Sequence, residues 1–272
     1  MREEDLFRRF KMGNLPSANK ALGQHFLTDK KTIEMITTDF AKDAEVIIEV
    51  GPGPGILTKA LSQLNLPLYL IEKDDRFIDD LKNLTPHVYN QDALEFDWQK
   101  LLKNFENKNV WLVSNLPYNV GTPLFLKFLK LSQITYMTLM FQKEVGEKTY
   151  FRDQKNTTNG LLTLSSIYFD SKLLRKVAPG CFSPPPKVHS VVVSYIRKSQ
   201  PLFAIKDFSK IDRFTRLIFS QRRKQLGSVL KGGLSNEQLV ELKTEMPDIM
   251  TARAESLELK QVYDLLNHLS SL

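Results

Sequence analysis

The decisive stretch is EVGPGPGILT, Glu49 to Thr58. It follows an apolar run, Val46 to Val50, and opens into a helix-like run from Ile56. Strand, glycine loop and helix start, in that order, read as a nucleoside-cofactor site on an α/β sheet. The glycines fall at Gly51, Gly53 and Gly55, which makes the pattern G-x-G-x-G. A dinucleotide fingerprint needs G-x-G-x-x-G and would place its third glycine at Ile56. Pro52 and Pro54 separate the glycines, and proline carries no backbone N–H. A pyrophosphate cradle works by pointing N–H groups at the phosphate, so this loop has lost two donors. It can bring backbone close to a ligand yet is poorly made for phosphate. A cofactor with a nucleoside and no phosphate fits better, and S-adenosylmethionine is the expected one.

Outward from that loop, short apolar runs alternate with amphipathic stretches. Strand candidates are Val46 to Val50, Leu68 to Ile71, Val88 to Tyr89, Val110 to Ser114, Thr135 to Phe141 and Val191 to Ile196. Helix-like stretches lie between most of them, Thr122 to Leu131 among them. The alternation predicts a mostly parallel sheet with helices on both faces, whose ligands sit beyond the carboxyl ends of the strands. The pattern breaks at RKSQP, Arg197 to Pro201. Beyond it Phe208 to Leu230 is helix-like and basic, Ser235 to Glu237 resembles a helix start, and Ser256 to Leu269 has helical periodicity. The expected organisation is a leader over residues 1–19, an α/β domain over 20–200 and a small all-helical domain over 201–272.

Composition narrows the function classes. The chain has 272 residues and a formal net charge of +7, which points to an anionic partner, nucleic acid first and an anionic membrane surface second. One cysteine, Cys181, leaves no disulfide framework and no Cys-rich metal site. The four histidines show no ligand spacing. No metal site is expected. No apolar run approaches the roughly 18 residues of a membrane span, and the first residues, MREEDLFRRFK, lack an apolar signal core. A cytoplasmic protein is expected.

Further residues carry chemistry. Glu72 ends the second strand candidate, 21 residues past Gly51, where a carboxylate accepts from ribose hydroxyls. Alone it would read as a surface carboxylate; the loop upstream favours the ribose role. Asp92, after the next short strand, reads alone as a helix N-cap; with Gly51 and Glu72 it suits the adenine amine of the cofactor. Asn115-Leu116-Pro117-Tyr118-Asn119 follows Val110 to Ser114. It reads as a methyl-acceptor site or as a β-turn with a buried tyrosine. Adenine N6 is a poor nucleophile because its lone pair is delocalised into the ring. Two acceptors, the Asn115 side-chain oxygen and the Leu116 carbonyl, would hold its hydrogens, and Tyr118 would stack on the base. Phe182-Ser183-Pro184-Pro185-Pro186-Lys187 is stiff and extended. It either presents Phe182 to a base and Lys187 to phosphate, or is a loop with a core phenylalanine. Arg222, Arg223 and Lys224 put three adjacent cations on an expected helix, suited to a phosphate backbone or to a solvated face.

These motifs together resemble the ribosomal RNA adenine dimethyltransferases, closest to the small-subunit KsgA/RsmA type. The residues that carry the resemblance are KALGQHFL at Lys20, EVGPGPGILT at Glu49, IEKD at Ile71, DAL at Asp92, NLPYNV at Asn115, QKEV at Gln142, SPPPKV at Ser183, FSQRRK at Phe219 and RAESL at Arg253. The resemblance implies a Rossmann-like methyltransferase domain followed by a helical domain. It implies dimethylation of N6 on two adjacent adenosines near the 3′ end of 16S rRNA in the immature small subunit, by a protein expected to act as a monomer. By matching position it implies that His25 and Leu27 line the cofactor pocket with Gly51, Gly53, Glu72, Asp92 and Asn115. Asn115, Leu116 and Tyr118 would hold the target adenine and Phe182 would complete the stack. Alternatives are an assembly factor that acts mainly by binding the small subunit, and a large-subunit methylase, against which the helical domain argues. Departures from the family pattern are His25 where many members have Asn, His189 where Asp is usual, Gly227 where a basic residue is common, and a longer leader.

Overall fold

The computed structural model describes residues 17–152 and 158–271; the leader expected over 1–19 lies mostly outside them. The strands are β1 Phe26–Leu27, β2 Val46–Val50, β3 Leu68–Glu72, β4 His87–Asn90, β5 Val110–Asn115, β6 Ile134–Gln142, β7 Phe169–Val177, β8 Phe182–Ser183 and β9 Ser190–Arg197. In the first part of the chain the α-helices are α1 Lys30–Thr38, α2 Ile56–Leu61, α3 Ile78–Lys82, α4 Trp98–Leu102, α5 Gly121–Leu129 and α6 Lys143–Gly146. They are followed by α7 Gly160–Tyr168, α8 Phe208–Phe219, α9 Leu226–Leu230, α10 Asn236–Glu245, α11 Pro247–Thr251 and α12 Leu259–Ser271.

Two compact units emerge. Among the described residues one comprises 17–146 and 172–197, and the other 147–152, 158–171 and 198–271. The division differs from a single cut near residue 200, because α7 and the start of β7 join the helical unit.

In the first unit, seven strands form one sheet in the order β4-β3-β2-β5-β6-β9-β7. β4, β3, β2, β5 and β6 run parallel, and β9 returns antiparallel to β6. The central strands are near-continuous apolar runs because both faces of a parallel sheet are covered; β2 is buried at every residue. From β2 the chain winds outward through β3 to β4, then crosses back to place β5 on the other side of β2. That reversal is a topological switch point, where open α/β sheets leave a crevice at the carboxyl ends. Ser114 Oγ donates to the Val50 carbonyl at 2.7 Å and ties the two diverging strand ends together.

β7 and the two-residue ladder of β1 with β8 are additions to the expected strands. In the helical unit, α8 buries Phe208, Ile211, Phe214, Thr215 and Ile218, one stripe at helical spacing, and Tyr168 stacks on Phe208 with ring centroids 5.5 Å apart. Ser235 closes a capping box with Gln238 at the start of α10. The expected continuous helix from Phe208 to Leu230 is a correction. α8 ends at Phe219, and residues 220–224 form a turn before α9. The chain leaves the helix because Gln225 bridges to Arg253 and the Leu226 N–H bonds the Ala252 carbonyl. Among the described residues no helix is long and apolar enough to cross a membrane.

Candidate active site

A cleft opens at the switch point. Its lining includes His25, Leu27, Gly51, Gly53, Glu72, Asp92, Asn115, Leu116 and Tyr118. Nine of the expected cofactor and acceptor residues therefore converge, from segments far apart in the chain.

The glycine loop follows β2. Gly51, Gly53 and Gly55 have φ of +68°, +54° and +81°, left-handed values that a side chain would strain. All three N–H groups are engaged within the protein: Gly51 with the Ile71 carbonyl at 2.9 Å, Gly55 with the Pro52 carbonyl at 3.0 Å, and Gly53 with Glu72 Oε2 at 2.8 Å. With Pro52 and Pro54 donorless, none of these five residues offers an N–H to a phosphate. The loop is a backbone platform.

Glu72, the last residue of β3, is buried. Its Oε1 accepts from the Asp74 N–H at 2.7 Å while Oε2 holds Gly53. Burial raises its pKa against the pull of those two N–H groups. Asp92 stands two residues past β4, with Oδ2 2.8 Å from Lys73 Nζ and Oδ1 accepting from the Leu94 N–H. Burial pushes its carboxyl up, but Lys73 and Leu94 outweigh that and hold it below the usual range.

The Asn115 turn leaves the end of β5. Asn115 Nδ2 donates to the His25 carbonyl at 3.0 Å. Only the amide nitrogen can donate to a carbonyl, so Asn115 Oδ1 is the atom left to accept. The Leu116 N–H bonds the Met140 carbonyl of β6, and the Val120 N–H closes on the Pro117 carbonyl. Tyr118 is half-buried, its hydroxyl 2.6 Å from Ser190 Oγ and its ring 5.1 Å from that of His25. His25 Nδ1–H donates to the Pro184 carbonyl at 2.9 Å.

Residues Ser17 to Leu27 cross this site as a strap. On one side Gln24 Nε2 donates to Asp74 Oδ2, and Arg76 pairs with Asp74 while reaching the Ser17 carbonyl. On the other, Asn119 Nδ2 donates to the Ala21 carbonyl. A Cβ on Gly23, at φ +66°, would lie 3.0 Å from Asn119 Oδ1. His25 and Leu27 are thus held against the cleft.

Three placements differ in kind. Phe182 does not line the cleft; it is 4% exposed in the core and pairs in register with Leu27. Lys187 is exposed on the loop between β8 and β9. Arg222, Arg223 and Lys224 are exposed on the turn after α8 rather than on a helix. Gly227 is a packing position: a Cβ there would meet the Met250 carbonyl at 2.9 Å, so a basic side chain does not fit without a backbone shift.

Glu49 is the site residue that sequence reasoning missed. It lies inside β2, 1% exposed, and also lines the cleft. Burial, opposed by the Thr58 hydroxyl and helped by the nearby Glu72 charge, drives its carboxyl up to about 8, and Oε2 has no hydrogen-bond partner within 3.5 Å. The signal was a single carboxylate inside the run VIIEV.

Comparison with known proteins identifies the family. The family model for ribosomal RNA adenine dimethylase matches residues 16–271. The chain is 34% identical over 260 residues to ribosomal RNA small subunit methyltransferase A of Francisella tularensis subsp. tularensis, covering 93% of this chain and 98% of that protein. Among solved structures it resembles a dimethyladenosine transferase from Plasmodium falciparum, with TM-score 0.73 and 23% identity over 91% of this chain and 98% of the other. It also resembles the 23S rRNA methyltransferase ErmE, with TM-score 0.65 and 21% identity over 90% and 99%. At such identities the two structures speak to the fold.

Proposed function

The chain belongs to the ribosomal RNA adenine dimethylase family, and from that premise we propose how its cleft works and on which RNA. The activity is N6,N6-dimethylation of adenosine in ribosomal RNA by an S-adenosylmethionine-dependent methyltransferase. The substrate we assign is the small-subunit RNA, at two adjacent adenosines near the 3′ end of 16S rRNA before the subunit is mature. The name of the Francisella relative supports that choice.

The residues present fit the cofactor. The loop is donor-poor toward phosphate, and carboxylates end or follow β3 and β4 where a nucleoside's hydroxyls and amine need acceptors. Glu49 Oε2, a buried acceptor without a partner, suits a ligand that brings a donor or a positive charge, which would favour its ionised form. When bound, S-adenosylmethionine supplies a methyl group on a positively charged sulfur that departs as a neutral thioether. Gly51 and Gly53 let the backbone lie against it, Glu72 accepts from the ribose, Asp92 from the adenine amine, and His25 and Leu27 cover it from the strap.

For the target base, Asn115 Oδ1 and the Leu116 carbonyl accept the two N6 hydrogens and draw the nitrogen toward tetrahedral geometry, which weakens the conjugation of its lone pair with the ring. Tyr118 stacks on the base. The adenosine must be unpaired or flipped out to enter. Because the amine proton becomes acidic once the methyl arrives, water suffices to remove it, and placement carries most of the rate. Phe182, buried beside Leu27 in the β1–β8 ladder, is not assigned to the base. Lys187, Arg222, Arg223 and Lys224 contact phosphates.

The observation that carries this reading is that two acceptor sets share one cleft: Glu72 and Asp92 for a nucleoside cofactor, and Asn115 with its turn for an adenine. The test is Asn115→Ala, assayed for methyl transfer to, and for binding of, small-subunit particles lacking the modification. Transfer should collapse while particle binding survives. Loss of both in step would favour a protein that acts mainly by binding.

A further inference from the structure

We propose that Ser190 is a positioning residue for adenine methylation, one whose hydroxyl fixes the Tyr118 ring as the platform for the target base. The inference rests on the assignment of Tyr118 to that base. Ser190 opens β9, is wholly buried and does not line the cleft. A buried hydroxyl is costly unless it is hydrogen-bonded, and this one lies 2.6 Å from the Tyr118 hydroxyl. The next three residues of β9, Val191 to Val193, are buried valines, so an apolar residue at 190 would continue the run. A serine there is accounted for by its bond to Tyr118.

The bond matters because of how Tyr118 is held. The turn that carries it has left the sheet, so no strand ladder fixes the ring. One face meets His25, which is anchored through Nδ1 to the Pro184 carbonyl. The hydroxyl end meets Ser190, whose backbone is paired with Gln142 of β6. The same strand, β6, accepts the Leu116 N–H at Met140. The β6–β9 pair thus places both the Leu116 acceptor and the stacking ring. Rotating Tyr118 about its first side-chain torsion would break this hydroxyl pair. With the bond intact, the ring is ready before the base arrives.

The experiment is a double-mutant cycle in the full chain, with Ser190→Ala, Tyr118→Phe and the double variant. Each is assayed for kcat and for KM toward small-subunit particles and S-adenosylmethionine. Each single change should lower kcat at least about tenfold, leave KM for S-adenosylmethionine unchanged, and give a double variant no slower than the slower single. Tyr118→Phe removes the bond without opening a cavity, so the inference stands exposed even if Ser190→Ala folds poorly. Multiplying losses, or a fully active Tyr118→Phe, would overturn it. A wild-type chain that methylates no adenosine would overturn the reading of the cleft as well, which sets that failure apart from failure at Ser190 alone.

Discussion

Replacing Glu49 by Gln should stabilise the sheet unit, by an amount that grows as pH rises from about 4.5 to about 8. Glu49 is fully enclosed in β2 and one of its oxygens has no partner. Its folded value of about 8 compares with 4.5 for a free carboxyl. A raised folded value means that the stability the group contributes is fully present below about pH 4.5 and is lost as pH rises through about 8. Each pH unit of that displacement is worth about 1.4 kcal/mol, which sets a ceiling of about 5 kcal/mol. Water entering the cleft lowers the ceiling, and about 2–4 kcal/mol is the expected gain above pH 8. Gln keeps the shape and never ionises. The assay is urea unfolding without ligand at a series of pH values from about 5 to about 9, followed by tryptophan fluorescence. The chain's two tryptophans, Trp98 and Trp111, are both buried in the sheet unit, so the signal reports that unit alone. The difference between variant and wild type should be near zero at the acid end and grow through neutrality. A difference that is flat across the range, or largest in acid, would refute the reasoning.

Other outcomes follow from the same geometry. Glu72→Ala should weaken S-adenosylmethionine binding by about 10- to 100-fold, since hydrogen bonds to a charged acceptor are lost and Gly53 is released; an unchanged dissociation constant by calorimetry would end the ribose assignment. Replacing Arg222, Arg223 and Lys224 together by Ala should lower the salt dependence of RNA binding by roughly 0.7–0.9 log units per lost phosphate contact, and an unaltered slope would mean the cluster only faces solvent. Gly227→Arg should destabilise the helical unit by about 1–3 kcal/mol, because its Cβ meets the Met250 carbonyl; circular dichroism through a denaturant series would show no loss if that contact relaxes freely.

Much of the sheet was legible in the sequence because its central strands are buried on both faces and so read as unbroken apolar runs. The missed strand shows where that signal fails. In β7, Phe169, Leu173, Leu174 and Val177 recur at a helix-like spacing among Asp170, Lys172, Arg175 and Lys176. It is an edge strand, and charged edges are how sheets avoid further pairing. The β1–β8 ladder joins segments more than 150 residues apart, a pairing that no local pattern encodes. Glu72, Asp92 and Asn115 could be placed at the cleft because each stands at or just past the end of a strand candidate, where open α/β sheets leave their crevice. His25 could not: its place depends on the strap, which Asp74, Arg76, Asn115 and Asn119 hold from outside. The helix expected through Arg222 failed for a similar reason, because the bridge from Gln225 to Arg253 is non-local.

The most direct test of the shared cleft is transfer of labelled methyl from S-adenosylmethionine to small-subunit particles that lack the modification, with large subunits alongside and nucleosides identified by mass spectrometry. The expected result is label on small subunits alone, recovered as N6,N6-dimethyladenosine. Label on large subunits, or tight particle binding with no label, would contradict the account.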